Sequence, residues 1–109
     1  MSGLYYSFEL NDSVVKEVLS NEQVTFDERK SITRNVNSGD STVTVDLTEL
    51  GTIGALHIKT SGSITVTLNG QALAVNSFLF VTLDDLTSLT LACSDTDGYE
   101  VTVTLWSAA

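Results

Sequence analysis

The stretch Ser63-Ile-Thr-Val-Thr-Leu-Asn-Gly70 alternates apolar and hydroxyl-bearing residues and ends on an Asn-Gly pair. Alternation with a period of two, carried by β-branched residues, is typical of half-buried strands in an antiparallel sheet. Asn-Gly accepts the positive φ angles that a type I′ turn requires. The stretch therefore predicts a strand and a tight hairpin, with Gln71 to Val75 pairing back on it.

The same Thr-Val phrase recurs on both sides of this hairpin. It appears strictly at Thr42 to Leu47 and at Glu100 to Leu105, and more loosely at Leu86 to Leu91. Turn residues separate about eight such short strands at intervals typical of sandwiches. We therefore expect an all-β fold, an antiparallel β-sandwich with a jelly-roll-like arrangement.

The first forty residues have a different pattern. Alternating apolar residues predict a strand at the N-terminus, and Asp12 to Ser20 has helical spacing, which predicts at most one short N-terminal helix. Two short strands are predicted at Val24 to Phe26 and Ser31 to Val36, before a turn at Asn37 to Asp40. Residues 1–109 are expected to form a single domain in which residues 1–40 serve as an N-terminal arm or docking region.

Composition limits the possible functions. The chain has 109 residues, a formal net charge of -9, and all five of its basic residues at or before Lys59. An acidic C-terminal half would repel nucleic acid. The N-terminus lacks the features of a secretory signal and no stretch is apolar enough to span a membrane, so we expect a protein made in a cytoplasm.

Few residues offer reactive chemistry. The single histidine, His57, lies between Leu56 and Ile58 and is expected on the sheet face away from the core, without a nucleophile. Adjacent carboxylates at Asp84-Asp85 favour a solvated loop, and Cys93 favours an unreactive packed thiol. We therefore expect no enzyme activity, no catalytic residues and no cofactor.

The segment from Asp95 to Glu100 is the one candidate for a cation site. It offers three carboxylates in six residues, and hard cations prefer oxygen ligands. Asp-Gly is also what a tight hairpin turn needs, and the spacing is shorter than a calcium-binding loop. A turn is the favoured interpretation, so no metal ligand is assigned, and cation binding by Asp95, Asp97 and Glu100 is left open.

Several apolar residues are better suited to contacts with other subunits. Ser77 to Leu83 is apolar on both faces, which predicts either a central strand or one covered by another subunit. The chain has no proline, so its edge strands lack a common defence against pairing. The candidate interface residues are Leu4, Tyr5, Tyr6, Phe8, Phe78, Phe80 and Trp106.

The segment from Gly54 to Trp106 resembles the small all-β accessory proteins of tailed-bacteriophage virions, especially capsid decoration or cement proteins. The resemblance lies in Ser63 to Gly70, Leu86 to Leu91 and Val101-Thr-Val-Thr-Leu-Trp106. It implies a non-enzymatic virion protein that forms a homotrimer and stabilises the shell by binding the major capsid protein. It also implies that the N-terminal region contacts that protein.

A carbohydrate-binding or receptor-adhesion module of a phage tail or baseplate is the alternative. Such modules usually present an exposed aromatic platform to the sugar. The sequence offers four aromatic candidates for it, namely Tyr5, Tyr6, Tyr99 and Trp106.

Overall fold

The computed structural model describes residues 2–11 and 16–108. For Ser2, Tyr6 and residues 8–11 and 16–25 it describes the backbone alone. Nine β-strands account for most of the described residues. They are β1 Ser2–Asn11, β2 Lys16–Val36, β3 Val43–Thr44, β4 Ile53–Thr60, β5 Ile64–Leu68, β6 Gln71–Val75, β7 Phe78–Thr82, β8 Leu89–Ala92 and β9 Tyr99–Ala108.

These strands form two antiparallel sheets. The five-stranded sheet has the order β1-β2-β9-β4-β7, and the four-stranded sheet has the order β3-β8-β5-β6. The predicted all-β sandwich is therefore confirmed. In the part of the chain that the structure describes, no helix is long and apolar enough to cross a membrane.

The core lies between the two sheets and follows from strand alternation. On β4, Leu56 and Ile58 are fully buried, whereas His57 and Lys59 occupy the other face. Burial of one apolar face of each sheet is the main driving force for a sandwich of this kind. The largest fully buried side chains are Ile53, Leu56, Ile58, Leu89, Leu91, Leu105, Val36, Val66 and Val101.

The predicted hairpin at Asn69-Gly70 is confirmed. The two residues have φ angles of 50° and 84°, and Leu68 pairs with Gln71 across the turn. The Asn69 side chain also ties the turn to the loop before β8. Its Nδ2 donates to the Asp85 carbonyl oxygen at 2.9 Å, and its Oδ1 accepts the Thr87 N–H at 2.8 Å.

The N-terminal region differs from the sequence prediction in two ways. Residues 16–20 of the predicted helix lie in β2, so the helix is wrong there, and Val14 and Val15 lie outside the described residues. β-branched valines restrict helical rotamers and suit a strand better. The two short strands predicted at Val24 to Phe26 and Ser31 to Val36 are one continuous strand of 21 residues.

A bulge explains why β2 continues through the polar residues between those two segments. The register shifts between Phe26 and Arg29, so Asp27 and Glu28 are accommodated without ending the strand. The Glu28 N–H donates to Ser107 Oγ at 2.7 Å, and Ser107 is buried. The hydroxyl thereby satisfies a backbone donor that the bulge takes out of the ladder.

Three further segments are shorter or placed differently than the sequence predicts. Only Val43–Thr44 of the Thr42 to Leu47 phrase pairs as a strand, because Asp46 Oδ1 accepts the Thr48 N–H and turns the chain. Of Leu86 to Leu91, only the last three residues lie in β8. Ser77 to Leu83 supplies β7, which lies at the edge of its sheet, so the central-strand prediction is wrong.

Candidate interaction surfaces

The outer face of the five-stranded sheet carries a ladder of hydroxyl groups. Thr33 and Thr102 share a hydrogen bond of 2.9 Å across β2 and β9, and Ser31 and Thr104 share one of 3.2 Å. Cross-strand hydroxyl pairs of this kind stabilise a sheet locally. The threonines of the β9 phrase thus hold the outer face together while the valines fill the core.

The aromatic residues of β7 continue this face toward the sheet edge. Phe78 is 56 % exposed, and Phe80 is half-buried opposite His57. Partial burial, with a smaller effect of the Lys59 charge, lowers the pKa of His57 below its usual value. An exposed phenylalanine on an edge strand leaves apolar surface available to a partner.

A shallow polar groove of about 240 Å³ lies between β4 and β9, one strand away from Phe78 on β7. Lys59, which pairs with Phe78 across β4 and β7, lines it together with Thr60, Ser61, Glu100 and Thr102. Hydroxyl and charged groups near an aromatic ring can form hydrogen bonds to the hydroxyls of a sugar ring. This groove was not predicted, because its residues come from distant parts of the sequence.

Trp106 occupies a different environment from the other candidate interface residues. It is only 8 % exposed, and its ring meets Phe26 edge to face at a centroid distance of 6.4 Å. Most of its surface is already used inside the chain. Its indole therefore leaves little area for a sugar or a partner subunit.

The remaining interface candidates lie on β1. Tyr5 is 59 % exposed and Leu4 is half-buried, while Tyr6 and Phe8 are described by their backbone positions alone. β1 pairs with β2 from Phe26 back to Lys16, whereas β9 pairs with β2 only from Phe26 onward. We call β1 and residues 16–25 of β2 the ribbon, since these residues form a two-stranded extension of the sheet.

The acidic loop after β8 has the geometry of a turn. Asp95 Oδ1 accepts the N–H groups of Asp97 and Gly98 at 2.9 and 3.0 Å, and Asp95 Oδ2 accepts the Tyr99 hydroxyl at 3.3 Å. The Asp95 charge raises the pKa of Tyr99. The Asp95 carboxylate thus organises the turn, and no cluster of three or more metal-ligating side chains occurs among the described residues.

The other two reactive candidates lie apart from these surfaces. Cys93 is half-buried just after β8, and its sulfur accepts the Asp95 N–H at 3.3 Å. Asp84 and Asp85 are exposed in the loop between β7 and β8, as the sequence predicts. His57 lies on the outer face of the five-stranded sheet, where its cross-strand neighbour on β7 is Phe80.

A cleft of about 240 Å³ opens between the two sheets beside β2 and β3. Its floor is apolar, and Lys30 and Arg34 lie at its mouth with carboxylate partners Glu49 at 3.7 Å and Asp40 at 3.2 Å. This cleft was not predicted from the sequence. The alternation of Lys30, Ile32 and Arg34 on the core-facing side of a strand is the signal that indicates an open sandwich edge.

The outer face of the four-stranded sheet carries a row of small uncharged side chains, which was also not predicted. Register places Thr44 beside Thr90, Thr90 beside Thr67, and Thr67 beside Ala72 across all four strands. Strand order, which the sequence does not reveal, is what brings these residues into line.

No family model matches this chain, and no curated protein matches it.

Proposed function

We propose that this protein is a non-enzymatic structural protein of a bacteriophage virion, and specifically a capsid decoration protein that binds the major capsid protein. The observation that carries the proposal is the uncovered apolar surface at both ends of the five-stranded sheet. Tyr5 on β1 is 59 % exposed at one end, and Phe78 on β7 is 56 % exposed at the other. Two separated contact surfaces are what a protein needs to bridge neighbours.

Bridging explains how so small a chain can stabilise a shell. Two modest contacts on one rigid sheet act with a high effective concentration, so the second contact forms much more readily than it would alone. Binding to the assembled shell but not to free subunits stabilises the shell by mass action. The virion location, the homotrimer and synthesis in the host cytoplasm follow from the resemblance to decoration proteins.

The strand order supports the jelly-roll form of sandwich that the proposal includes. Apart from β1, the two sheets have the orders β2-β9-β4-β7 and β3-β8-β5-β6. Each strand of the first half of the chain thus lies beside a strand of the second half, as in two interlocked Greek keys. This arrangement brings β1 and β7 to opposite ends of one sheet.

Co-sedimentation with shells of the major capsid protein encoded nearest in the same genome tests the proposal. We expect saturable binding, an increase in the melting temperature of the shells, and weaker binding on Phe78→Ser or Tyr5→Ser. Leu73→Ser is the matched control, because Leu73 is an exposed apolar residue on β6 of the other sheet. No binding to shells, or equal loss with Leu73→Ser, contradicts the proposal.

A carbohydrate-binding module of a tail or baseplate is the second candidate, and the groove between β4 and β9 favours it. Phe78 lies across from Lys59, and the groove that Lys59 lines together with Glu100 and Thr102 offers hydrogen bonds one strand away from this exposed ring. Glycan-array binding that is lost on Phe78→Ala and retained on Trp106→Phe would support this candidate. Absence of glycan binding by the unmodified protein would remove it.

A further inference from the structure

We propose that two copies of this chain pair through the outer edge of β1, so that their ribbons form one continuous sheet with the order β2-β1-β1′-β2′. The contact concerns how two copies meet, and it holds whether or not a capsid is the partner. It is also separate from the three-fold contact that the resemblance implies.

The ribbon has the longest poorly protected edges in the described part of the chain, one along β1 and one along residues 16–25 of β2. Of the two, β1 carries fewer charged residues. It has 10 residues and lies at the end of its sheet, with β2 on one side only. The other edge strands are shorter, with 5 residues in β6, 5 in β7 and 2 in β3. Short edges resist pairing with another chain, whereas long ones with unpaired backbone groups favour it.

The ribbon also needs a further strand for its own stability. Residues 16–25 of β2 pair with β1 alone, since β9 reaches only as far as Phe26. A two-stranded hairpin is marginally stable in water, and three or more strands are usually needed. Pairing through β1 supplies a four-stranded sheet to both copies at once.

Charge favours β1 over every other long edge for contact between two acidic chains. β1 contains one charged residue, Glu9, whereas residues 16–25 of β2 contain Lys16, Glu17 and Glu22. Residues 28–36 of β2 contain Glu28, Arg29, Lys30 and Arg34. Charged residues on an edge strand discourage pairing. With a net charge of -9, two copies approach at the least electrostatic cost where the edge is nearly neutral.

The alternation of β1 restricts the register to pairs of equal parity, and among those that overlap the most residues of β1, the pair centred on Tyr6 keeps the two Glu9 residues farthest apart. Leu4, Tyr6 and Phe8 are apolar residues at even-numbered positions of β1. They must lie opposite even-numbered positions of the second copy, because a register shifted by one residue would place them opposite polar residues. An antiparallel pair centred on Tyr6 achieves this and places Leu4 opposite Phe8 of the second copy. Each Glu9 then faces Gly3 of the other copy, and the two Glu9 residues are about 20 Å apart, beyond the screening length at physiological salt.

Engineered cysteines test both the contact and its register in full-length protein that carries Cys93→Ala. At the centre of the pair, Tyr6→Cys brings two Cα atoms within the distance that a disulfide spans. Tyr5→Cys is the control, because its two copies would be about 8 Å apart, which is too far. We expect a covalent dimer from Tyr6→Cys under mild oxidation and monomer from Tyr5→Cys. Equal cross-linking of both, or of neither, overturns the proposal.

Charge variants give an independent, non-covalent test by analytical ultracentrifugation. Tyr6→Lys places two lysines opposite each other and should raise the dimer dissociation constant about tenfold. Within one copy, the register places position 6 opposite Glu22, so the substitution introduces no like charge directly across the ribbon. Gly3→Lys faces Glu9 of the second copy and should leave dimerisation unchanged or tighter. A monomer at all concentrations, or equal weakening by both variants, overturns the proposal.

Discussion

Replacing Gly98 by alanine should destabilise the protein much more than the same replacement at Gly70. Both glycines have positive φ angles, 76° and 84°, so alanine at either position adopts the unfavourable left-handed conformation. That conformation costs about 1 to 2 kcal/mol for a residue with a side chain. The two sites differ in what a new Cβ atom would meet.

At Gly70 the added Cβ meets no atom within 4 Å, whereas at Gly98 it would lie 2.5 Å from the Val36 carbonyl oxygen. That oxygen is backbone and cannot rotate away, so β2 and the turn before β9 must separate. Overpacking of this kind costs typically 1 to 3 kcal/mol. We therefore expect a total loss of about 2 to 5 kcal/mol for Gly98→Ala and about 1 to 2 kcal/mol for Gly70→Ala.

Urea unfolding followed by the fluorescence of Trp106 measures both losses. Trp106 is the single tryptophan and is buried against Phe26, so its emission reports the packing of the sandwich. The slope of the transition should be the same in both variants, since the surface exposed on unfolding is unchanged. A difference between the two variants below about 0.5 kcal/mol would refute the reasoning, because the contact with Val36 would then cost nothing.

Three other perturbations have definite expected outcomes. Ser107→Ala should lower the unfolding free energy in urea by about 1 kcal/mol, because the Glu28 N–H loses its acceptor. Ser31→Ala, at an exposed serine, is the control, and an equal or greater loss in this control would contradict the prediction. Asn69→Gly keeps a positive φ accessible but removes the side-chain hydrogen bonds to the loop before β8. We expect the unfolding free energy to fall by about 1 to 2 kcal/mol, which measures the contribution of those bonds. An unchanged unfolding free energy would show that they contribute nothing. The pKa of His57 in the folded state lies below its usual 6.5, so the unfolded state binds more protons than the folded state. The unfolding free energy should therefore fall as the pH decreases from 6.5, and it should fall less in His57→Gln. Identical pH profiles for the two proteins between pH 6.5 and the range where carboxylates titrate would contradict the assignment of that fall to His57.

Local sequence signals predict the parts of this fold that are set by neighbouring residues. Asn69-Gly70 carries its own turn preference, and the alternation of β9 identifies the core-facing valines without knowledge of its partners. The same applies to the turn after β2, where the Asn37 side chain accepts the Gly39 N–H and begins a short 3₁₀ helix at Ser38–Asp40.

The errors occur where distant residues decide the conformation. The spacing of Val18 and Leu19 suits one face of a helix, but pairing of residues 16–25 with β1 determines that they form a strand. Trp106 is of a residue type that often forms exposed platforms for sugar binding. Its ring is instead packed against Phe26, which lies eighty positions earlier in the chain. The groove between β4 and β9 was not predictable, because it needs the order of β7, β4 and β9 in the sheet.

The proposed shell contact at β7 and the proposed pairing of two copies through β1 use different parts of the same sheet. Separate substitutions can therefore test each contact. β7 offers side chains on its outer face, so its contact depends on Phe78 and tolerates changes in backbone hydrogen bonding. β1 offers its backbone edge, so its contact depends on register and on low charge rather than on any one exposed ring. Phe78→Ser should therefore weaken binding to capsid shells without changing the dimer of free protein, and Tyr6→Lys should weaken that dimer directly. If Phe78→Ser dissociated the dimer and Tyr6→Lys did not, the edge of β1 would not be the site of pairing.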